Sequence, residues 1–176
     1  QSVTTRTAGF FTVSQAGLTE AGKAVSDMLM FVGGSSGSTA GGLKTVTLGV
    51  VVLAAVGTAR GRSRASVFRH TIPQEKVSQA MTLFMLMLTL AFVGAALICA
   101  CSGCSLSTAL YETVSALATV GLTAGLTATL TTLPKLLLIV FMFFGRVGIM
   151  TISIGFLTAS RAEDRFEYAP ARMLIG

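Results

Sequence analysis

Residues 81–100, MTLFMLMLTLAFVGAALICA, contain no charged side chain and no proline. A helix rises about 1.5 Å per residue, so this run reaches about 30 Å, the thickness of a bilayer's hydrocarbon core. It reads as a transmembrane helix. That constrains its surroundings, because backbone at membrane depth must be satisfied within helices, by buried protein or by a watery cavity. Composition agrees. The chain's 176 residues are 52% hydrophobic and 11% charged, where soluble domains carry about 25% charged residues. The net charge of +6 does not form one nucleic-acid-binding face. Arg60, Arg62, Arg64, Arg69 and Lys76 make one cluster and Arg161, Arg165 and Arg172 another. Both flank apolar runs, which is the positive-inside pattern. The expected partner is therefore the lipid bilayer, and no nucleic acid.

Pro73 and Glu75 mark the start of the first span, since proline and acids suit a first helical turn. A second long apolar run covers 133–160, interrupted by Gly145-Arg146-Val147-Gly148. A third, 18–59, splits into 28–32 with its lead-in and 46–59. Between those halves lies GGSSGSTAGGLKT, residues 33–45. It looks like a phosphate-binding loop, but the register fails. Gly37 and Gly42 have the right separation, and then Leu43 stands where the lysine belongs. An enzyme with a nucleotide loop is therefore a poor reading. Residues 105–130 are apolar but rich in Thr, Ser and Gly. Ser105 or Ser107 can cap a helix to about Ala118, too short to span, before Gly121 and Gly125 break it. A short helix followed by irregular backbone reads as a re-entrant segment. With loop 60–76 cytoplasmic, the span at 81–100 exits, the re-entrant segment dips in and returns, and the span at 133–160 comes back. Both basic clusters then face the cytoplasm.

The chain also repeats itself. Shifted by 112 residues, Thr7-Ala8-Gly9-Phe10 falls on Thr119-Val120-Gly121-Leu122, and residues 29–33 (LMFVG) fall on 141–145 (FMFFG) without a gap. Duplicated units are common in membrane transport folds. The expected fold is all-α and integral to the membrane, built from repeated membrane helix, pore helix, filter loop and membrane helix. The second helix of the first unit is broken. The boundaries are 1–60 for the filter loop and broken helix of one unit, 61–76 for a basic cytoplasmic loop, 77–160 for a complete unit and 161–176 for a cytoplasmic tail. Within the complete unit the membrane helix is 77–101, the pore helix 107–118, the filter 119–125 and the second membrane helix 132–160. The chain opens without Met in a polar run, and we expect it to be a piece of a longer chain. A Thr-x-Gly loop after a re-entrant helix has a physical use. Its carbonyls can replace the water shell of a monovalent cation, and glycine permits the required dihedrals.

TRTAGFFTV, MFVGGSSGSTAGGLKT, ATVGLTAGLT and FFGRVG, in this order, resemble the Trk/Ktr/HKT superfamily of potassium transporters. Within it they resemble the second half of the bacterial TrkH/KtrB-type membrane subunits. The resemblance implies four membrane–pore–membrane units around one pore, the third and fourth being represented here. It implies a selectivity filter at Thr7, Ala8, Gly9, Phe10, Thr119, Val120, Gly121 and Leu122, which would bind K+. It also implies an intramembrane gate loop of Gly33, Gly34, Ser35, Ser36, Gly37, Ser38, Thr39, Ala40, Gly41 and Gly42, with Lys44 at its end and Arg146 facing it. The chain departs from the family pattern at Phe11, where Asn is usual, and at Ser36, where Pro is common. The implied function is potassium uptake, channel-like or ion-coupled, with Na+ as the other candidate ion. The implied location is the bacterial inner membrane, multi-pass. Implied partners are the rest of the same subunit, a second copy as homodimer, and cytoplasmic nucleotide-binding regulatory subunits. No covalent cofactor is implied. The alternative is a membrane anchor or assembly subunit that does not conduct.

Single residues leave choices open. A charge mid-span, such as Arg146, needs protein or water around it and a partner. It can cap carbonyls of the broken helix or take part in gating. Lys44 can snorkel to the interface or oppose cations at the inner vestibule. Asp27 and Glu112 can attract cations or pair with Arg or backbone. Cys99, Cys101 and Cys104 include one CxxC spacing. Metal ligation wants more ligands nearby, so small residues closing the outer end of a span are the stronger reading. His70 lies in the basic loop.

Overall fold

A computed structural model describes residues 2–35, 37–38, 40–61, 66–67 and 70–147. Expectations for Ser36, Thr39, Arg62, Arg64, Arg69, residues 148–160 and the tail 161–176 lie outside the described residues. The described chain runs as a 3-10 turn at Gln15–Gly17, then α1 (Glu20–Phe31), α2 (Thr45–Ala59), β1 (Ser66–Val67), β2 (His70–Thr71), α3 (Gln74–Ser102), α4 (Leu106–Leu117), α5 (Leu126–Thr129) and α6 (Thr132–Val147). The architecture is helical but for the two-residue ladder in the basic loop, where Ser66 pairs with Thr71 and Val67 with His70.

Among the described residues, α3 is the one helix long and apolar enough to cross a membrane. It begins after Pro73, carries Glu75 in its first turn and ends at Gly103. Its 29 residues reach about 43 Å. Its buried positions are Val77, Ala80, Met87, Ala91, Gly94, Ala95 and Ile98, one stripe at helical spacing. The stripe is made of small residues where neighbours come closest. A Cβ on Gly94 would stand 2.5 Å from the Phe141 ring and 2.7 Å from Thr113 Cγ2. The opposite face, with Met85, Phe92, Val93 and Leu97, is exposed and apolar, as a lipid contact requires.

The core is centred on α4. Ala109 and every residue from Tyr111 to Leu117 are buried in it, so a twelve-residue helix serves as the hub. Ser105 caps its start by accepting from the Thr108 N–H. Around it pack α1 through Met30, α3 through Met87, Ala95 and Ile98, and α6 through Leu138 and Phe141. Helix α6 buries Pro134, Leu138 and Phe141 at i, i+4 and i+7. It exposes Leu133, Leu136, Ile139 and Phe143. Helix α2 packs on α3 yet buries none of its residues. Its sequence, TVTLGVVVLAAVGTA, is apolar all round, the pattern of a helix meant for lipid or further protein.

Candidate functional site

The two Thr-x-Gly loops share an unusual backbone. Thr7 and Thr119 have φ of 67° and 54°, and Gly9 and Gly121 have 75° and 85°. For a β-branched residue positive φ is an outlier, costing about 1–3 kcal/mol. Both strained threonines stand at positions related by the 112-residue shift. Alternation of left-handed residues at Thr and Gly turns successive carbonyls of the loop away from the usual extended zigzag. The loops also lie against each other, for a Cβ on Gly9 would stand 2.7 Å from the Val120 carbonyl oxygen. Phe10 is 86% exposed and Ala8 and Gly121 are exposed, whereas Val120 and Leu122 are buried.

In each loop a hydroxyl holds the carbonyl after the glycine. Thr4 Oγ1 donates to the Phe10 carbonyl, and Ser115 Oγ donates to the Leu122 carbonyl at 2.6 Å. Backbone bonds run in parallel with these. Ala8 N–H donates to the Thr4 carbonyl at 3.2 Å and Val120 N–H to the Ser115 carbonyl at 2.9 Å. One lone pair of Phe10 and one of Leu122 are therefore already engaged inside the protein.

The glycine-rich segment interrupts α1 and α2, and its neck is stitched. Gly33 N–H donates to the Leu43 carbonyl at 2.8 Å, Leu43 N–H to Phe31 at 3.2 Å and Thr45 N–H to Gly34 at 3.2 Å. Ser38 Oγ donates back to the Ser35 carbonyl at 2.7 Å. Lys44 caps the loop from within. Its ammonium donates to the Ser38 carbonyl at 3.1 Å and also to the Ala40 carbonyl. Neither the snorkelling nor the barrier reading of Lys44 named these carbonyls as its partners. The freed carbonyls of a broken helix need donors, and Lys44 supplies them.

The loop is seated on the second Thr-x-Gly loop. A methyl on Gly41 would overlap Thr119 Oγ1 and stand 2.7 Å from the Ala118 carbonyl oxygen, and one on Gly42 would stand 3.1 Å from Ala118 Cβ. Helix α6 reaches the same spot, since a methyl on Gly145 would overlap the Leu117 carbonyl and lie 3.1 Å from Thr119 Cγ2. Arg146 follows Gly145 in the last described turn of α6 and is exposed.

Several residues outside the expected set are structural partners of the site. Buried Glu112 accepts from Ala124 N–H at 3.1 Å, from Thr127 Oγ1 at 2.7 Å and from Thr123 Oγ1. Among the described residues, these hydrogen-bond partners are hydroxyls and backbone. Tyr111 Oη donates to Gln15 Oε1 at 2.8 Å across 96 residues, tying the exit of the first loop to α4. Glu112 stood out in the sequence as an acid within an apolar region, whereas Ser115 had only its i, i+3 spacing from Glu112 to mark it. Asp27 is buried and lines an apolar cavity of about 500 Å³ between α1, α3 and α4. At the far end of α3, Cys99 Sγ donates to the Cys104 carbonyl at 2.9 Å, and Cys101 is exposed.

A sequence model of the family described as TrkH, cation transport protein, matches residues 1–167. The chain belongs to the TrkH family. That family is one of transporters and not of enzymes, so the nucleotide-loop reading of residues 33–45 is set aside. Among relatives of this TrkH-family chain, the potassium/sodium uptake protein NtpJ of Enterococcus hirae is 40% identical over 180 residues, covering 99% of this chain and 40% of that protein. The Ktr system potassium uptake protein B of Bacillus subtilis is 34% identical, covering 94% of this chain and 37% of that protein. The protein of the same name from Vibrio alginolyticus is 33% identical, with 100% and 38% covered. The chain thus spans about two-fifths of the length of these relatives.

Proposed function

We propose that this chain contributes the third and fourth filter loops and the gate of a pore that takes up potassium across a bacterial inner membrane. The observation that carries the reading is the seating of the glycine-rich break. Its Gly41 leaves no room for a methyl beneath Thr119 and Ala118, where the second Thr-x-Gly loop begins. Carbonyls of Thr7, Ala8, Gly9, Thr119, Val120 and Gly121 are the ligands that would replace a cation's water. Phe10 and Leu122, whose carbonyls already accept hydroxyls, would serve the filter's shape. The loop 33–42 then obstructs the path beneath them. Its glycines let it sit close, and Lys44 keeps it folded. Arg146 would act on that loop from α6. Filters of one glycine per loop are short, so sodium is the natural competitor, and the first relative above is named for both ions.

The full subunit would span the membrane several times, pair with a second copy and bind cytoplasmic nucleotide-binding subunits. Two of the relatives are named as parts of a Ktr system, which supports an assembly of more than one component. The test is potassium-limited growth of a transport-deficient cell expressing the full-length protein, with sodium varied. Gly121→Ser should abolish growth or its preference for potassium. Normal growth and preference in that variant would favour a non-conducting anchor.

A further inference from the structure

The backbone after Gly121 leads back to one face of α4. Glu112 and Ser115 are three residues apart, so they are neighbours on that helix. They are 4% and 3% exposed. Ser115 Oγ holds the Leu122 carbonyl. Glu112 Oε1 takes the Thr123 hydroxyl and the Ala124 N–H, and Oε2 takes the Thr127 hydroxyl. Thr123 Oγ1 in turn accepts from the Gly125 N–H at 3.0 Å. Every one of these partners lies in residues 122–127.

A buried carboxylate near a cation path can attract the ion by its charge or hold the backbone by its lone pairs. Here three of the carboxylate's roughly four lone-pair sites are committed. Three donors converge on the two oxygens, and they come from the segment that must stay still if the Val120 and Gly121 carbonyls are to keep one spacing. We infer that Glu112 and Ser115 are positioning residues that brace the outer limb of the second Thr-x-Gly loop and so set its discrimination between cations of different size. They act through geometry and not through charge. The inference rests on the reading of this loop as an ion filter.

Glu112→Gln separates the two roles. The amide keeps an oxygen for Ala124 and Thr123 and offers the Thr127 hydroxyl a donor, while the charge is gone. The experiment compares rubidium and sodium uptake by the full-length protein in transport-deficient cells, normalised to the amount of protein in the membrane. Ser115→Ala, which removes one hydrogen bond, should lower the rubidium-to-sodium ratio by about three- to tenfold, and Glu112→Ala, which removes three, by at least as much. Thr127→Val, which removes the bond to Oε2 and a longer one of 3.4 Å from Thr123 Oγ1 but leaves the carboxylate, should shift the ratio the same way by less than Glu112→Ala. Glu112→Gln should restore most of what Glu112→Ala loses. The inference is overturned if Glu112→Gln is as impaired as Glu112→Ala, because charge would then be the requirement. It is also overturned if Ser115→Ala and Thr127→Val both accumulate normally and keep the parental ratio. Should Glu112→Ala fail to accumulate, those two variants decide. Gly121→Ser is run beside them. A changed ratio there with none in the brace variants sinks the brace alone, and no change in any variant sinks the filter reading with it.

Discussion

Thr7 and Thr119 are held where threonine rarely sits, and each is followed two residues later by a glycine that accepts the same hand without strain. Gly41 is constrained differently, by space, since Thr119 and the Ala118 carbonyl occupy the position of its missing methyl. Gly41→Ala should therefore lift the loop from its seat. If the loop obstructs the path, uptake through the full-length protein rises, and deleting the loop raises it further. Gly49→Ala is the control, for nothing lies within 4 Å of a Cβ there, and it should leave uptake unchanged. Lys44→Met removes a charged donor from two carbonyls. Hydrogen bonds to charged groups are worth about 1.5–3 kcal/mol, so the loop should loosen. The check is an increased basal rubidium leak, with Lys44→Arg between the two. Arg146→Ala should change transport rate; unchanged uptake at normal expression would remove it from the mechanism.

Among the elements, α4 does the most with the least length. It is too short to cross a bilayer, yet its residues touch the second Thr-x-Gly loop, the 3-10 turn that follows the first, α1, α3 and α6. Its existence was readable from the Ser105 or Ser107 cap and the glycines that follow. Its role as a hub was not, because the partners of Tyr111 and Glu112 are set by distances between elements and not by spacing along the chain. The same holds for the crossing of α3 with α4 and α6 at Gly94. Gly94→Leu should overpack that crossing, at a cost of about 1–3 kcal/mol or more. A lower melting temperature of the detergent-purified protein is the measurement. Phe92→Leu, on the exposed face of α3, should leave that temperature unchanged.

At the level of the whole molecule the orientation is testable. Thr71 lies in β2 just ahead of α3 and Cys101 in the last turn of α3, so that helix, a rod of about 43 Å, runs between them. With Cys99 and Cys104 replaced by serine and no other cysteine in the full-length protein, a membrane-impermeant maleimide should label Cys101 on intact cells. Thr71→Cys, with Cys101 also replaced, should label only after the membrane is opened. The reverse pattern would invert the topology. Order along the chain was enough to specify an uncharged run as long as a bilayer is thick, basic clusters beside apolar runs, glycines where helices must break, and motifs that fit one transport family. Tertiary structure decided the rest. It brought Gly41 under Thr119, turned Lys44 inward onto the loop's carbonyls, and committed Glu112 to Thr123, Ala124 and Thr127. The physical reason is that apolar periodicity specifies which face of a helix is buried. A polar group at membrane depth must instead find a donor or acceptor wherever the packed helices happen to bring one, and no spacing in the chain encodes that.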